Sequence, residues 1–469
     1  MKRTHSQTSQ RLLIALAMGF ILTSLPGVSA RAQDQPPQTP DMQQMQKRLS
    51  QLENEVQQLK QQMSAAAQVS AQELNAAVSN PTNPNESEQP VKPKTGSSVD
   101  VYGFVMLDSG YNFGANDPNW FDVVRPTKLP AFAGQFGPNG STYWGVRQTR
   151  IGIKTLTPTA MGDLKTTFEW ELFGTGVDAG QTTFRLRHAW GEMGHFGAGQ
   201  TWSPFMDIGV FPDSVEYWGP NGMVFFRNVQ FRFTPLQKGD SNIQIALERP
   251  GASADQGIYA GRVELANVVP HFKWPDLSGH VKYAGDWGYV QVAGIVRKIA
   301  WVDTGTGPFH LSGYAVGAGV NVSSNLKFTK RDTGKLAVMY GHGVENYMND
   351  APVDIGVKNN FSNPIRPIKG VALPVLGVVA FLDHVWSTRY ATSVGYSMLN
   401  IDNSNASAPS DFHQGHYALG NLLYHPVPRV TMASEFQFGR RVNFSNGYNY
   451  NQYRLQFSFR YDWSKGFEF

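Results

Sequence analysis

From residue 99 to the C-terminus, apolar and polar residues alternate in short segments. The last segment is the clearest. Its odd positions read Tyr453, Leu455, Phe457, Phe459, Tyr461, Trp463, Lys465, Phe467 and Phe469, and its even positions read Arg454, Gln456, Ser458, Arg460, Asp462, Ser464, Gly466 and Glu468. A strand turns successive side chains to opposite faces, so one face here is aromatic and the other charged or small. Such a strand separates two solvents. Sixteen segments of this texture are legible, at roughly 99–111, 145–155, 162–173, 183–192, 195–200, 224–234, 242–249, 278–286, 288–302, 311–322, 335–346, 376–386, 388–400, 415–425, 429–441 and 453–469.

The connections sort by parity. After even-numbered segments they are mostly short, as at 156–161, 193–194, 286–287, 387 and 426–428; after odd-numbered ones they are often long, as at 113–144, 201–223, 250–277, 346–375 and 401–414. Outer-membrane barrels join their strands in this way, with tight periplasmic turns and long outer loops. A soluble β-sandwich has no reason to do so. The expected fold is therefore an all-β transmembrane protein, a 16-stranded antiparallel β-barrel over 99–469, its apolar face toward lipid. Tyr461, Trp463, Phe467 and Phe469 are the aromatic signature of the strand that closes it.

The faces of single strands agree. Leu164, Phe168, Trp170 and Leu172 oppose Lys165, Glu169 and Glu171; Phe184, Leu186 and Trp190 oppose Arg185 and Arg187; Val229, Phe231 and Phe233 oppose Asn228, Gln230 and Arg232. Whole charges of both signs in a dry core would cost several kcal/mol each unless paired. A water-filled lumen removes that cost, and sixteen strands enclose a tube too wide for side chains to fill.

The N-terminal part has a different grammar. Lys2, Arg3 and Arg11 flank an apolar run from Leu12 to Leu22, followed by Val28, Ser29 and Ala30. This predicts a signal peptide over 1–30, cut after Ala30 or Ala32. Met42, Met45, Leu49, Leu52, Val56, Leu59 and Met63 then recur at alternating spacings of three and four. That seam predicts an α-helical coiled coil over 41–78 in the periplasm. A flexible linker rich in Pro, Asn and Glu follows over 79–98. A single helix packed on the barrel is the alternative to the coil.

Composition narrows the chemistry. The chain has 469 residues, a formal net charge of +4 and no cysteine, which excludes disulfides, thiolate metal sites and a cysteine nucleophile. Loss of Lys2, Arg3 and Arg11 with the leader lowers the charge to +1, and loss of Arg31 lowers it to 0. The basic balance thus gives no ground for a nucleic-acid partner. His413 and His416 form an HxxH in a Gly/Asn-rich context, read as a solvated loop and not as a metal site. No nucleotide loop and no Ser/His nucleophile pair is apparent, so neither enzyme nor cofactor is expected.

The candidate site is the lumen. Arg150, Lys154, Arg185, Arg187 and Arg232 fall on wet faces of neighbouring early strands. Fixed cations along a narrow wet passage favour small anions, and guanidinium forks match carboxylates. Lys165 beside Glu169 and Glu171 leaves open a mixed wall of internal ion pairs. The loop after the fifth strand joins Asp207, Asp213 and Glu216 to Phe205, Phe211, Tyr217 and Trp218. An outer loop seldom bears so many aromatics, so this one is expected to fold into the barrel as a constriction, its acids facing the wall arginines.

VYGFVMLDSGY at 101–111, RQTRIGIKT at 147–155, GQTWSPFMDIGVFPDSVEYWGP at 199–220 and FFRNVQFRFTP at 225–235 resemble the DcaP-like trimeric outer-membrane porins, as does the order of leader, coil, linker and barrel. The likeness covers roughly 42–469 and is most specific in the loop after the fifth strand. It implies a homotrimer in outer-membrane lipid with a periplasmic coil, and a positive constriction favouring small anions such as dicarboxylates. Arg150, Arg185, Arg187 and Arg232 lie in or beside the matching segments. Phosphate-selective porins share the plan but would need a ladder of cations, which is thin here. A structural alternative is a barrel that only anchors the coil, tethering the outer membrane to the cell wall or to partners.

Overall fold

The computed structural model describes residues 96–469. The leader (1–30), the coiled coil (41–78) and nearly all of the linker (79–98) lie outside the described residues. Sixteen antiparallel strands form one barrel: β1 (Ser98–Asn112), β2 (Ser141–Gly145 and, after a break, Arg150–Thr159), β3 (Gly162–Phe173), β4 (Thr182–Met193), β5 (Phe196–Trp202), β6 (Arg227–Lys238), β7 (Ser241–Glu248), β8 (Asp276–Gly285), β9 (Gly288–Asp303), β10 (Gly313–Lys327), β11 (Asp332–His342), β12 (Pro374–Val385), β13 (Tyr390–Ile401), β14 (Phe412–Tyr424), β15 (Val430–Asn443) and β16 (Asn449–Glu468). Both pieces of β2 pair with β1, the outer end at Asp108↔Gly145 and the inner end at Phe104↔Arg150. The barrel closes where β1 meets β16, in unbroken register from Ser98↔Glu468 to Asn112↔Arg454. Among the described residues, no helix is long and apolar enough to cross a membrane.

Period-two alternation sets the two faces. Phe184, Val229, Phe231, Phe457 and Phe459 point outward and stay exposed. Leaving such side chains in water forgoes about 1.5–3 kcal/mol each, so this face is built for lipid. Asp108, Glu169, Glu171, Gln230, Glu248, Arg297, Glu435 and Arg454 point inward and are buried.

One strand departs from the simple alternation. In the pairing of β3 with β4, Glu169 faces His188 but Trp170 faces Leu186, so Arg187 is the extra residue of a bulge. Past the bulge the faces exchange. Trp190, which the alternation groups with Phe184 and Leu186, instead turns inward and is only 8% exposed. The sixth strand also starts later than its pattern suggests, at Arg227. Its expected first residue, Val224, is bridged to Met348 in another loop.

Candidate functional site

The loop between β5 and β6 enters the barrel. Phe205, Met206, Val210, Phe211, Met223 and Val224 pack with inward side chains of the far wall, among them Ile295 of β9, Met339 of β11, Phe381 of β12, Leu399 of β13 and Leu419 of β14. Fully burying a side chain of this size contributes about 1.5–3 kcal/mol, so the loop is fixed and not draped. Close backbone approach completes the fit. Gly222 presses on β12 and β13 so tightly that a Cβ would collide with the Met398 carbonyl, and its N–H donates to Ser397 Oγ at 2.9 Å.

The acids of this loop point away from the arginine wall, contrary to the opposed rows expected from sequence. Asp207 accepts from the Tyr289 hydroxyl at 2.9 Å and from Ser323 Oγ at 2.7 Å. Glu216 accepts from the Val124 N–H at 3.1 Å and also from the Gly219 N–H. The Asp213 N–H donates to Asp383 at 3.3 Å, and the Val215 N–H donates to Glu435 at 3.1 Å. Burial pushes Asp213 and Glu216 up to about 7, with the Asp383 charge adding to the effect on Asp213. The Asp207 and Glu216 carboxylates, with Asp383 and Glu435 of the far wall, dock the loop.

Facing the loop, guanidiniums from β2, β4 and the start of β6 gather around two carboxylates of β3. Arg187 donates to Glu169 at 2.6 Å and to Glu171 at 2.7 Å. Arg150 reaches the same two acids at 3.6 and 3.5 Å. Arg185 and Arg227 each lie 3.7 Å from Glu171. Four guanidiniums around two carboxylates leave two formal positive charges uncompensated within the cluster. Tyr217 brings the loop to this wall. Its hydroxyl donates to Glu171, its ring stacks on Phe173 at 3.8 Å, and Arg185 Nη1 lies 3.4 Å from its oxygen.

The expected lining residues divide between two environments. Arg150 and Arg187 are buried among acids. Arg185 keeps 31% of its side chain exposed. Lys154 is half-buried nearer the periplasmic end, its ammonium 5.2 Å from the Tyr102 ring. Arg232 is half-buried too, over the inward Trp190 ring at 4.8 Å and bonded to Gln230 at 3.1 Å. Phe205 is at the bottom of the apolar core. Tyr461, Phe467 and Phe469 are exposed on the outer face, and Trp463 is half-buried beside them. His413 bonds Asn403 at 2.9 Å, and His416 bonds Tyr396.

Sequence reasoning missed Arg227 and Arg125. The segment read over 224–234 groups Arg227 with the outward Val229, Phe231 and Phe233, but the strand begins only at Arg227, whose side chain is buried beside Glu171. Arg125 sits in the long loop between β1 and β2, where its guanidinium lies against both Trp120 at 4.2 Å and Trp218 at 3.8 Å. The only local hint was a cation among aromatics.

A profile of the DcaP outer membrane protein family matches residues 33–463. The chain belongs to that family. Its members and their fold are those of outer-membrane channels, which places the barrel in a bacterial outer membrane. The chain is similar to the outer membrane channel DcaP of Acinetobacter baumannii, with 18% identity and a TM-score of 0.63 over 80% of this chain and 100% of that one. It is also similar to an anion-selective porin from Comamonas acidovorans, with 10% identity and a TM-score of 0.51 over 78% of this chain and 100% of that one. At these identities the likeness is one of fold. A search of curated proteins returns no match.

Proposed function

We propose that this family member is a passive diffusion channel for small hydrophilic solutes, preferring anions such as dicarboxylates. The observation that supports this most is the cluster at Glu171. It holds more guanidiniums than carboxylates, and half-exposed Arg185 stands at its open edge beside the half-buried Tyr217. A solute passing the loop meets a fixed cation whose hydrogen-bonding fork suits a carboxylate. Loops that narrow the lumen bring the solute close enough for that charge to act before water screens it.

A phosphate-selective ladder is less favoured. Arg187, Arg297 and Lys335 are each engaged by an acid on the inner wall and do not form a free row. A sealed barrel that only anchors a coil would have no use for an excess of cations at its constriction. The remaining features of the reading are a homotrimer and a periplasmic coil within reach of the cell wall.

Planar-bilayer recordings of the full chain in a KCl gradient test this function. The expected result is a conducting pore whose reversal potential has the sign of chloride preference, reduced by added dicarboxylate. A reversal potential favouring potassium, or a barrel that does not conduct, would overturn the reading.

A further inference from the structure

The constriction loop does not stand alone. Residues of the 343–373 loop run beside it: the Phe225 N–H donates to the Tyr347 carbonyl at 2.9 Å, and the Asn349 N–H donates to the Met223 carbonyl at 2.9 Å. Trp218 Nε1 donates to the Asn349 carbonyl at 2.8 Å, and Asn349 Nδ2 donates to the Pro220 carbonyl at 2.9 Å. A second loop thus backs the constriction along much of its length.

One side chain ties this pair to a third loop. Asp350 is fully buried. It accepts from Arg125 Nε at 2.9 Å, from the Thr127 N–H at 2.9 Å and from Thr127 Oγ1 at 2.5 Å. The Arg125 guanidinium packs against the indoles of both Trp120 and Trp218, which themselves meet edge-on at 4.9 Å. Trp218 neighbours Tyr217, the residue that touches Arg185 and Glu171. The positive charge of Arg185 also acts on Arg125.

We infer that Asp350 is a positioning residue of the constriction: it holds Arg125 against both indoles, which fixes Trp218, and it cancels the Arg125 charge beside the passage. The carboxylate has two separable effects. Its geometry pins three loops together, and its charge keeps Arg125 from adding to the cations already facing the solute. A merely structural carboxylate would have the first effect and not the second. This role rests on the passage proposed above, though not on the sign of its preference.

The test is a charge cycle in planar bilayers with the full chain, comparing wild type, Asp350→Asn, Arg125→Met and the double variant. Removing the carboxylate leaves a lone cation, so D350N should raise the anion-to-cation permeability ratio about twofold; R125M leaves a lone anion and should lower it by a similar factor. The double variant should return to the wild-type ratio, because the net charge is restored. Single variants that keep the wild-type ratio, or that move it in the same direction, overturn the inference. If D350N does not yield folded barrel, R125M against the double variant still decides, since the ratio must rise between them. A wild type that does not conduct removes the passage and this role with it, whereas a conducting wild type with insensitive variants removes this role alone.

Discussion

Arg187 and Glu171 meet at 2.7 Å inside the barrel wall, and both side chains are almost completely buried. The pair lies at the centre of the charge cluster, since Glu171 also faces Arg150, Arg185 and Arg227. Removing one partner of a buried pair leaves a desolvated charge behind. Glu171→Gln should therefore destabilise the barrel by about 3–5 kcal/mol. Heat-modifiable gel migration across a urea series reads this directly. A midpoint equal to wild type would show that the cluster is not a structural centre.

Arg185 should behave differently from its buried neighbours. It retains 31% side-chain exposure, while Arg150 keeps only 3%. Arg185→Glu should shift the reversal potential toward cations, with a change in permeability ratio of about two- to fivefold and little loss of folded protein. Arg150→Met should cost more stability and shift selectivity less, because it removes one charge and not two, from deeper in the wall. Equal shifts in selectivity from both substitutions would mean that burial does not sort these arginines.

Much of this was legible in the chain, and the reasons are physical. Period-two alternation between lipid and an inner face is a local property, so β16 could be read from Tyr453 to Phe469 without knowing its partners. The sorting of connection lengths is local as well. Trp190 was not legible, because a bulge at Arg187 reverses the faces and bulges leave no mark in the polarity pattern. The loop was recognisable by Phe205, Phe211 and Tyr217, yet its acids Asp207 and Glu216 found partners 82 to 201 residues away in sequence, or in the loop itself. Attraction between opposite charges suggested the wall arginines; hydrogen-bond satisfaction of buried backbone N–H groups decided otherwise.

Docking of the loop between β5 and β6 should weaken as pH rises. Burial holds Asp213 and Glu216 at about 7, above the ordinary carboxylate values of 3.8 and 4.5. The docked loop therefore binds these protons more tightly than an undocked one. Their contribution to docking is complete below the ordinary values and is lost as pH passes through about 7. Single-channel current fluctuations should grow from pH 6 to 8.5, and Glu216→Gln should flatten that dependence. Fluctuations that grow toward acid instead would refute the sign.

The two faces of the wall can be told apart by placing the same charge on each. Phe231 points outward from β6 and is 51% exposed, while Gln244 on the adjacent β7 points inward, between outward Ile243 and Ile245. An arginine facing acyl chains near mid-membrane costs about 2–4 kcal/mol, whereas one facing a hydrated lumen costs little. Phe231→Arg should lower the urea midpoint of the folded barrel in phospholipid vesicles, and Gln244→Arg should leave it near wild type while raising chloride preference. The contrast follows from which medium each face meets: Phe231 pairs with Leu247 in regular ladder, and Gln244, opposite a bulge of β6, keeps regular pairing with His280 of β8. Equal destabilisation by the two substitutions would place a dry medium on both sides of the wall and leave no hydrated inner face for a solute to follow.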